Sequence, residues 1–404
     1  MADRTVDALL VGGGAASHAC AVELRARGFP GSVLLVGREL DPPYDRPLCS
    51  KDYLRGDRER ESTYLAMPDD VEVLTRTSVL KLDADARVAR LSTKEEVSFS
   101  RALIATGANV RRLPVEGAQL DGIHYLRALG NADAIREDAS AGWGEEVVVV
   151  GGSYLGTELA ASLTAMGKRV TVLMLEDVPL ERAYGARAGA WFQRLMEGHG
   201  VRFVAGDSLA AFVGDDEERV RAVRTESGAE LPASMVVVAA GAVPDVMLAR
   251  AAGLPIGALG GVSCDAGLRV RGFDGLWAAG DMCEWDSPPH GGAPARVEHW
   301  EVASAHGRTV AAGMCGDSVV HDELPYFWSD LGDWVTSEYV GVAGADGWDA
   351  EVVRGSLDEG AFSVWQLRDS RLVGCLAVRR GADLDTARAL IAAGEPVDPA
   401  ALPD

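Results

Sequence analysis

Two stretches of this chain repeat one pattern. "ALLVGGGAASHACA" (8–21) and "VVVVGGSYLGTELA" (147–160) each run an apolar segment into glycines and then into residues at helical spacing. The first predicts a strand over 6–11, a helix over 15–27 and a second strand over 32–37; the repeat predicts the same series at 147–150, 154–166 and 169–174. "RALIATGA" (101–108) and "MVVVAAGAVPD" (235–245) are further buried strands, and each ends on a glycine. A βαβ unit with a Gly turn, an intervening segment and a closing strand therefore occurs twice. The fold class that follows is α/β, with two Rossmann-like nucleotide-binding domains.

The glycine spacing says what the turns are for. In Gly12-x-Gly14-x-x-Ser17 the first glycine permits the tight turn, and the second lets backbone approach a pyrophosphate. The helix that follows offers free amides and the positive end of its dipole. Ser17 is small enough for close helix–strand packing, and Glu39, past the second strand, is positioned to accept hydrogen bonds from a ribose. The second cassette reads Gly151-x-Ser153-x-x-Gly156, so a serine stands where phosphate comes closest, which weakens the expected site without abolishing it. Its acidic residue is displaced too: Met174 occupies the strand end and Glu176 follows two residues later. No arginine cluster beside that strand end suggests a 2′-phosphate, so NADH is expected rather than NADPH. Two dinucleotide sites in one chain imply a flavoprotein, with FAD on the first cassette and NAD on the second, and hydride passing from nicotinamide to flavin.

The rest of the sequence narrows the class. With 404 residues there is room for two or three domains. The net charge of -22 excludes nonspecific nucleic-acid binding. Cys20, Cys49, Cys264, Cys283, Cys315 and Cys375 form no CxxC, so no metal centre or dithiol of that type is expected. Neither an export signal nor a membrane span is expected, and a cytoplasmic protein follows. A Gly/Pro-rich connector, "SPPHGGAPAR" (287–296), precedes a predicted helix over 297–314. "AFSVWQLRDSRLVGCLAV" (361–378) reads as a hairpin turning at Asp-Ser, followed by a helix over 383–393. The expected domains are 1–112 with 239–319 for FAD, 113–238 for NAD, and a C-terminal α+β interface domain over 320–404.

"PPYDRPLCSKDYL" (42–54), the Thr106-Gly107 strand end, "AAGD" (278–281), "RVEHW" (296–300) and "FWSD" (327–330) together resemble the FAD-dependent ferredoxin reductases that serve oxygenases, the putidaredoxin reductase type, in the glutathione-reductase-like fold class. "FWSDLG" and the C-terminal segment also resemble apoptosis-inducing factor; the reductases more commonly carry Gln where Leu331 stands. The resemblance implies that Arg46 and Lys51 contact the flavin, with Lys51 near its reactive edge and paired to Glu158. It implies that Asp281 binds the ribityl or pyrophosphate part. Glu298, His299 and Trp300 would face the isoalloxazine, and Trp328 would cover it. Thr106 and Gly107 are expected at the FAD, and Glu158 and Gly241 at the NAD. Cys49 stands where an aliphatic residue is usual, and either replaces it as a buried apolar group or serves as a reactive thiol.

These readings imply an enzyme that takes hydride from NADH and passes single electrons to a ferredoxin-type iron–sulfur protein. An acidic ferredoxin would need a locally basic face, for which Arg111, Arg112, Arg308, Arg379 and Arg380 are candidates; a homodimer is possible. The alternatives are an NADH-sensing flavoprotein like apoptosis-inducing factor, with a long-lived charge-transfer complex, and a disulfide reductase or peroxidase acting through Cys49.

Overall fold

The computed structural model describes residues 2–141, 144–343 and 347–404. The chain divides into two compact units. The first is built from Met1–Arg46, Thr63–Asn109 and Val243–Phe327, the second from Pro47–Ser62, Val110–Ala242 and Trp328–Asp404.

In the first unit the apolar runs become a parallel sheet in the order Val71–Leu74, Val33–Val36, Arg4–Val11, Glu96–Ile104. Val33–Val36 and the last four residues of Arg4–Val11 are buried on both faces, which is why they are continuous Val/Leu runs rather than alternating ones. Glu96–Ile104 carries the antiparallel strand Val88–Leu91 on its first half and the parallel strand Leu276–Ala278 on its last. Register brings Val36, Val11, Ile104 and Ala278 level along one edge. The residues after them, including Gly12, Thr106 and Gly280, therefore emerge together at the carboxyl ends, where open α/β sheets bind ligands. Helix Ala15–Ala26 packs on helix Trp300–Met314 so closely that a Cβ at Gly307 would stand 2.2 Å from the Ala16 carbonyl oxygen.

The second unit repeats the plan. Its parallel sheet runs Arg202–Val204, Arg169–Leu173, Glu146–Val150, Met235–Val238, Ile123–Tyr125, with Leu173, Val150, Val238 and Tyr125 level. A three-stranded antiparallel sheet, Leu209–Gly214, Val220–Thr225 and Glu230–Pro232, lies between the cassette's helices and its closing strand in sequence. The C-terminal sheet has the order Tyr326–Leu331, Val335–Gly341, Arg371–Val378, Ala361–Arg368, Ala350–Ser356. The expected hairpin is present: Asp369 and Ser370 both take positive φ, 50° and 61°, the left-handed geometry of a tight two-residue turn. Helix Ala382–Ala393 follows it, and its Asp383 accepts a 2.7 Å hydrogen bond from Ser363 in the sheet.

Two boundaries differ: the strand expected over 101–108 runs Glu96–Ile104, and one helix starts late. The helix expected from 297 begins at Trp300, with His299 extended at φ −127°. Arg296 donates to the carbonyls of Leu259 (3.0 Å) and Asp281 (3.0 Å), which ties the preceding segment to a loop. Among the described residues no helix is long and apolar enough to cross a membrane.

Candidate functional site

The two glycine turns are built alike. Gly12 N–H donates to Val36 O (2.8 Å) and Gly151 N–H to Leu173 O (2.8 Å). Gly12 has φ +116° and Gly151 φ +117°. A Cβ would stand 2.1 Å from the Ala105 carbonyl oxygen at Gly12, and 2.4 Å from that of Ala239 at Gly151. Both first glycines are therefore required twice, by dihedral and by closeness to the closing strand.

The first turn fits a dinucleotide. Gly14 precedes helix Ala15–Ala26 with no side-chain cap, leaving the amides of the first turn to an external acceptor, and a Cβ there would meet nothing within 4 Å. Ser17 is fully buried, and among the described residues its Oγ has no hydrogen-bond partner. A buried hydroxyl at a helix N-terminus is costly unless something accepts from it, and a phosphate would. Glu39 and Arg46, both expected at the flavin, meet in a 2.7 Å ion pair, and Tyr44 donates to Glu39 at 2.6 Å. Thr106 donates its N–H to the Met282 sulfur at 3.3 Å. Gly107 O accepts from Asp245 N–H at 2.8 Å. The Asp245 carboxylate is in turn held by Arg38 at 2.7 Å.

In the second turn Ser153 sits at φ −90°, ψ −167°, an extended conformation open to any residue, and Gly14 at φ −97°, ψ −170° matches it. Glycine is not demanded there by the backbone, and the Ser153 side chain is exposed. Ser153→Gly should therefore change NADH affinity by less than about threefold, the span of an exposed substitution worth about 0.5 kcal/mol. Titration by tryptophan quenching checks this, and a larger gain would mean the hydroxyl obstructs the cofactor. Gly156 is different: a Cβ would stand 1.9 Å from the Gly151 carbonyl oxygen. Met174 is buried because it packs on the turn; a Cβ at Gly152 would meet its sulfur at 2.5 Å. The acidic residue is displaced for that reason, and Glu176 pairs with the exposed Arg182 at 2.7 Å. Gly241 has φ +92° and its carbonyl accepts from Arg111 N–H at 3.0 Å.

Lys51 and Glu158, distant in sequence, form a 2.6 Å ion pair within the second unit, their side chains 7% and 9% exposed. Glu158 sits in the helix Tyr154–Ala165 that opens the second cassette. Its two oxygens each accept a further hydrogen bond at 2.6 Å, one from Ser50 and one from Ser329. Ser162 holds the Ser50 carbonyl at 2.6 Å. The Lys51 ammonium lies 5.1 Å from the centre of the half-buried Trp328 ring, a cation–π distance. Buried charges persist only when paired and hydrogen-bonded, and this carboxylate has three donors. The sequence reading reached Lys51, Glu158 and Trp328 but missed Ser50 and Ser329; the only signal was a hydroxyl residue adjoining each of Lys51 and Trp328.

Asp281, Glu298, His299 and Trp300 fall in the first unit. Arg296 joins Asp281 and Glu298 through its Nη1. His299 stacks on Phe327 with centroids 4.1 Å apart, and burial lowers its pKa against the opposing pull of Asp281. Trp300 is half-buried against the core. Cys49 lies buried in a 3₁₀ turn, Arg46–Ser50. Of the five candidate docking arginines, Arg308 pairs with Glu323 and Arg380 with Asp383, and Arg112 stacks on Tyr125. Arg111 and Arg379 are exposed.

Two dinucleotide cradles on duplicated parallel sheets, with a buried Lys–Glu pair, define an FAD- and NAD-dependent oxidoreductase. Residues 6–307 match the family model described as pyridine nucleotide-disulphide oxidoreductase, and residues 326–404 match the reductase C-terminal model. The chain belongs to the pyridine nucleotide-disulphide oxidoreductase family. It is 34% identical over 396 residues to rhodocoxin reductase of Rhodococcus erythropolis, covering 97% of this chain and 90% of that one. It is 32% identical over 406 residues to putidaredoxin reductase of Pseudomonas putida, with 98% and 94% covered. Among solved structures, a ferredoxin reductase from Rhodopseudomonas palustris matches with TM-score 0.92 at 31% identity, over 99% of this chain and 97% of that one. The covalent putidaredoxin reductase–putidaredoxin complex matches with TM-score 0.90 at 31% identity, over 100% and 96%.

Proposed function

We propose that this chain is the reductase of an oxygenase or P450 electron-transfer system, working in the cytoplasm, which oxidises NADH and delivers single electrons to a ferredoxin-type iron–sulfur protein. The observation that carries this is the pair of dinucleotide cradles in one chain, the first with the orphaned Ser17 hydroxyl and the uncapped helix at Gly14. The names of the relatives, rhodocoxin reductase and putidaredoxin reductase, support the acceptor class.

A bound flavin supplies the conversion between two-electron and one-electron chemistry. The chain's residues do the rest. In this reading Gly12, Gly14 and Ser17 hold the FAD pyrophosphate, and Glu39, preset by Arg46 and Tyr44, takes its ribose. Asp281 and the Thr106-Gly107 strand end hold the flavin side, with Glu298, His299 and Trp300 facing the ring. Gly151, Ser153, Gly156 and Gly241 receive the NAD backbone, and Glu176 its ribose. Lys51 keeps a positive charge near the flavin edge, and Glu158, clamped by two serines, keeps that lysine in place. Trp328 covers the ring, and residues 320–404 form the acceptor-facing domain.

The test is NADH-dependent cytochrome c reduction with and without added [2Fe–2S] ferredoxins. Turnover that depends on a ferredoxin is expected. Rapid flavin reduction by NADH with no turnover across several ferredoxins would overturn the acceptor and favour a sensor.

A further inference from the structure

Beneath the Gly280–Asp281 turn lies a histidine that none of the assigned roles uses. His306, from the second turn of helix Trp300–Met314, is fully buried in the first unit. Its Nδ1 lies 3.2 Å from the backbone nitrogen of Gly280. A backbone N–H can only donate, so Nδ1 carries the lone pair and the ring proton sits on Nε2. Burial, reinforced by the neighbouring His321, lowers the His306 pKa well below 6.5, which keeps the ring in this neutral form.

The surroundings hold the ring in one orientation. Trp285 and His321 each stand nearly perpendicular to it, with centroids 4.5 Å away. His321 is itself anchored, its Nδ1 3.0 Å from Thr309 Oγ1, whose own proton goes to the Ala305 carbonyl at 3.2 Å. Among the described residues the Nε2 of His306 has no hydrogen-bond partner, and the directed bond this ring makes is the one to Gly280. Gly280 takes φ +71°, and a Cβ there would meet Ala303 at 3.4 Å and Ala16 at 3.8 Å. The turn is thus walled by both helices, and its N–H points where water does not reach; without His306 it would be a buried, unpaired donor. On the other side, Met282 of the same turn receives the Thr106 N–H, while the Thr106 hydroxyl donates to the Asp245 carbonyl.

We propose that His306 is a positioning residue for the flavin: by accepting from Gly280 it fixes the peptide that aims Asp281 and the Gly280–Met282 turn at the cofactor. This rests on the reading that the first unit holds FAD. The histidine does not touch the cofactor; it acts through one backbone hydrogen bond, which an apolar residue of similar size cannot make.

The experiment compares wild type, His306→Leu and His306→Gln as holoenzymes. The rate of FAD release is followed by recovery of free-flavin fluorescence, and the thermal midpoint of each apoprotein is measured beside it. The leucine variant should release FAD about tenfold faster, the effect of one buried hydrogen bond. The glutamine variant, whose Oε1 can accept from Gly280, should stay within about threefold of wild type. Unchanged release from the leucine variant overturns the proposal, as does a glutamine variant that leaks as fast as leucine while its apoprotein melts like wild type. Should the leucine variant not fold, His306→Met, flexible enough to fill the space, is read the same way. A wild-type chain that holds FAD but shows no ferredoxin-dependent turnover would sink the acceptor reading and leave His306 standing; one that holds no FAD would sink both.

Discussion

Glu158→Gln should destabilise the second unit by about 3–5 kcal/mol, the cost of leaving a buried ammonium without its counter-charge. Lys51 is 6% exposed, and Trp328 gives it a ring face but no carboxylate. Lys51→Met should lose a similar amount, because it strands the carboxylate. The informative variant is the double one, Lys51→Met with Glu158→Gln. It removes both charges and keeps an amide oxygen for one of the two serine hydroxyls that now share the carboxylate. Replacing a buried ion pair by neutral groups is often close to neutral, so the double variant should recover all but about 1–2 kcal/mol. Urea unfolding of the three variants reads the coupling. Losses that simply add would mean the two charges do not depend on each other, contrary to the 2.6 Å geometry.

The second large effect is expected at Gly156. Alanine is the better helix former by about 1 kcal/mol, so propensity alone predicts stabilisation. The overlap decides otherwise. The added carbon would lie 1.9 Å from the Gly151 carbonyl oxygen, which is backbone and cannot rotate aside. Helix Tyr154–Ala165 would have to move off the turn, at about 1–3 kcal/mol or more, and the amides aimed at the nucleotide would move with it. Gly156→Ala should therefore lose NADH binding by at least about a hundredfold, since misplacements of about 1 Å carry costs of that order. FAD content should stay unchanged. Isothermal titration with NADH, beside the visible flavin spectrum, checks both halves. An alanine variant with wild-type NADH affinity would mean that the helix can shift without disturbing the nucleotide.

Much of this was legible from the residues. The two Gly turns declared themselves because a tight turn, a close backbone approach and a buried parallel strand each demand a narrow set of side chains. Asp369-Ser370 was legible because few residues accept two successive positive φ values. Other features left no mark. The antiparallel sheet over Leu209–Pro232 is half solvent-facing and charged, so "DDEERVRAVRTESGAELP" is legible only as a segment intervening before the closing strand. The motif has glycine where Ser153 stands, so the sequence reads as weakened there, but the backbone is extended and sets no such demand. Ser50, Ser329 and His306 act through tertiary partners 26 to 171 positions away, a relation that periodicity does not encode.

The clamp on Glu158 has a practical consequence for anyone exchanging parts among these reductases. Its donors arrive from residue 50, residue 51 and residue 329, so the carboxylate is complete only when the strand carrying "FWSD" is present. A truncated chain ending before Tyr326, or a chimera whose grafted C-terminal module lacks a hydroxyl at that place, would keep both nucleotide cassettes in sequence. It would still begin life with a buried acid short of a donor. Grafts should therefore be chosen by the residue that follows their tryptophan before they are chosen by the surface they present.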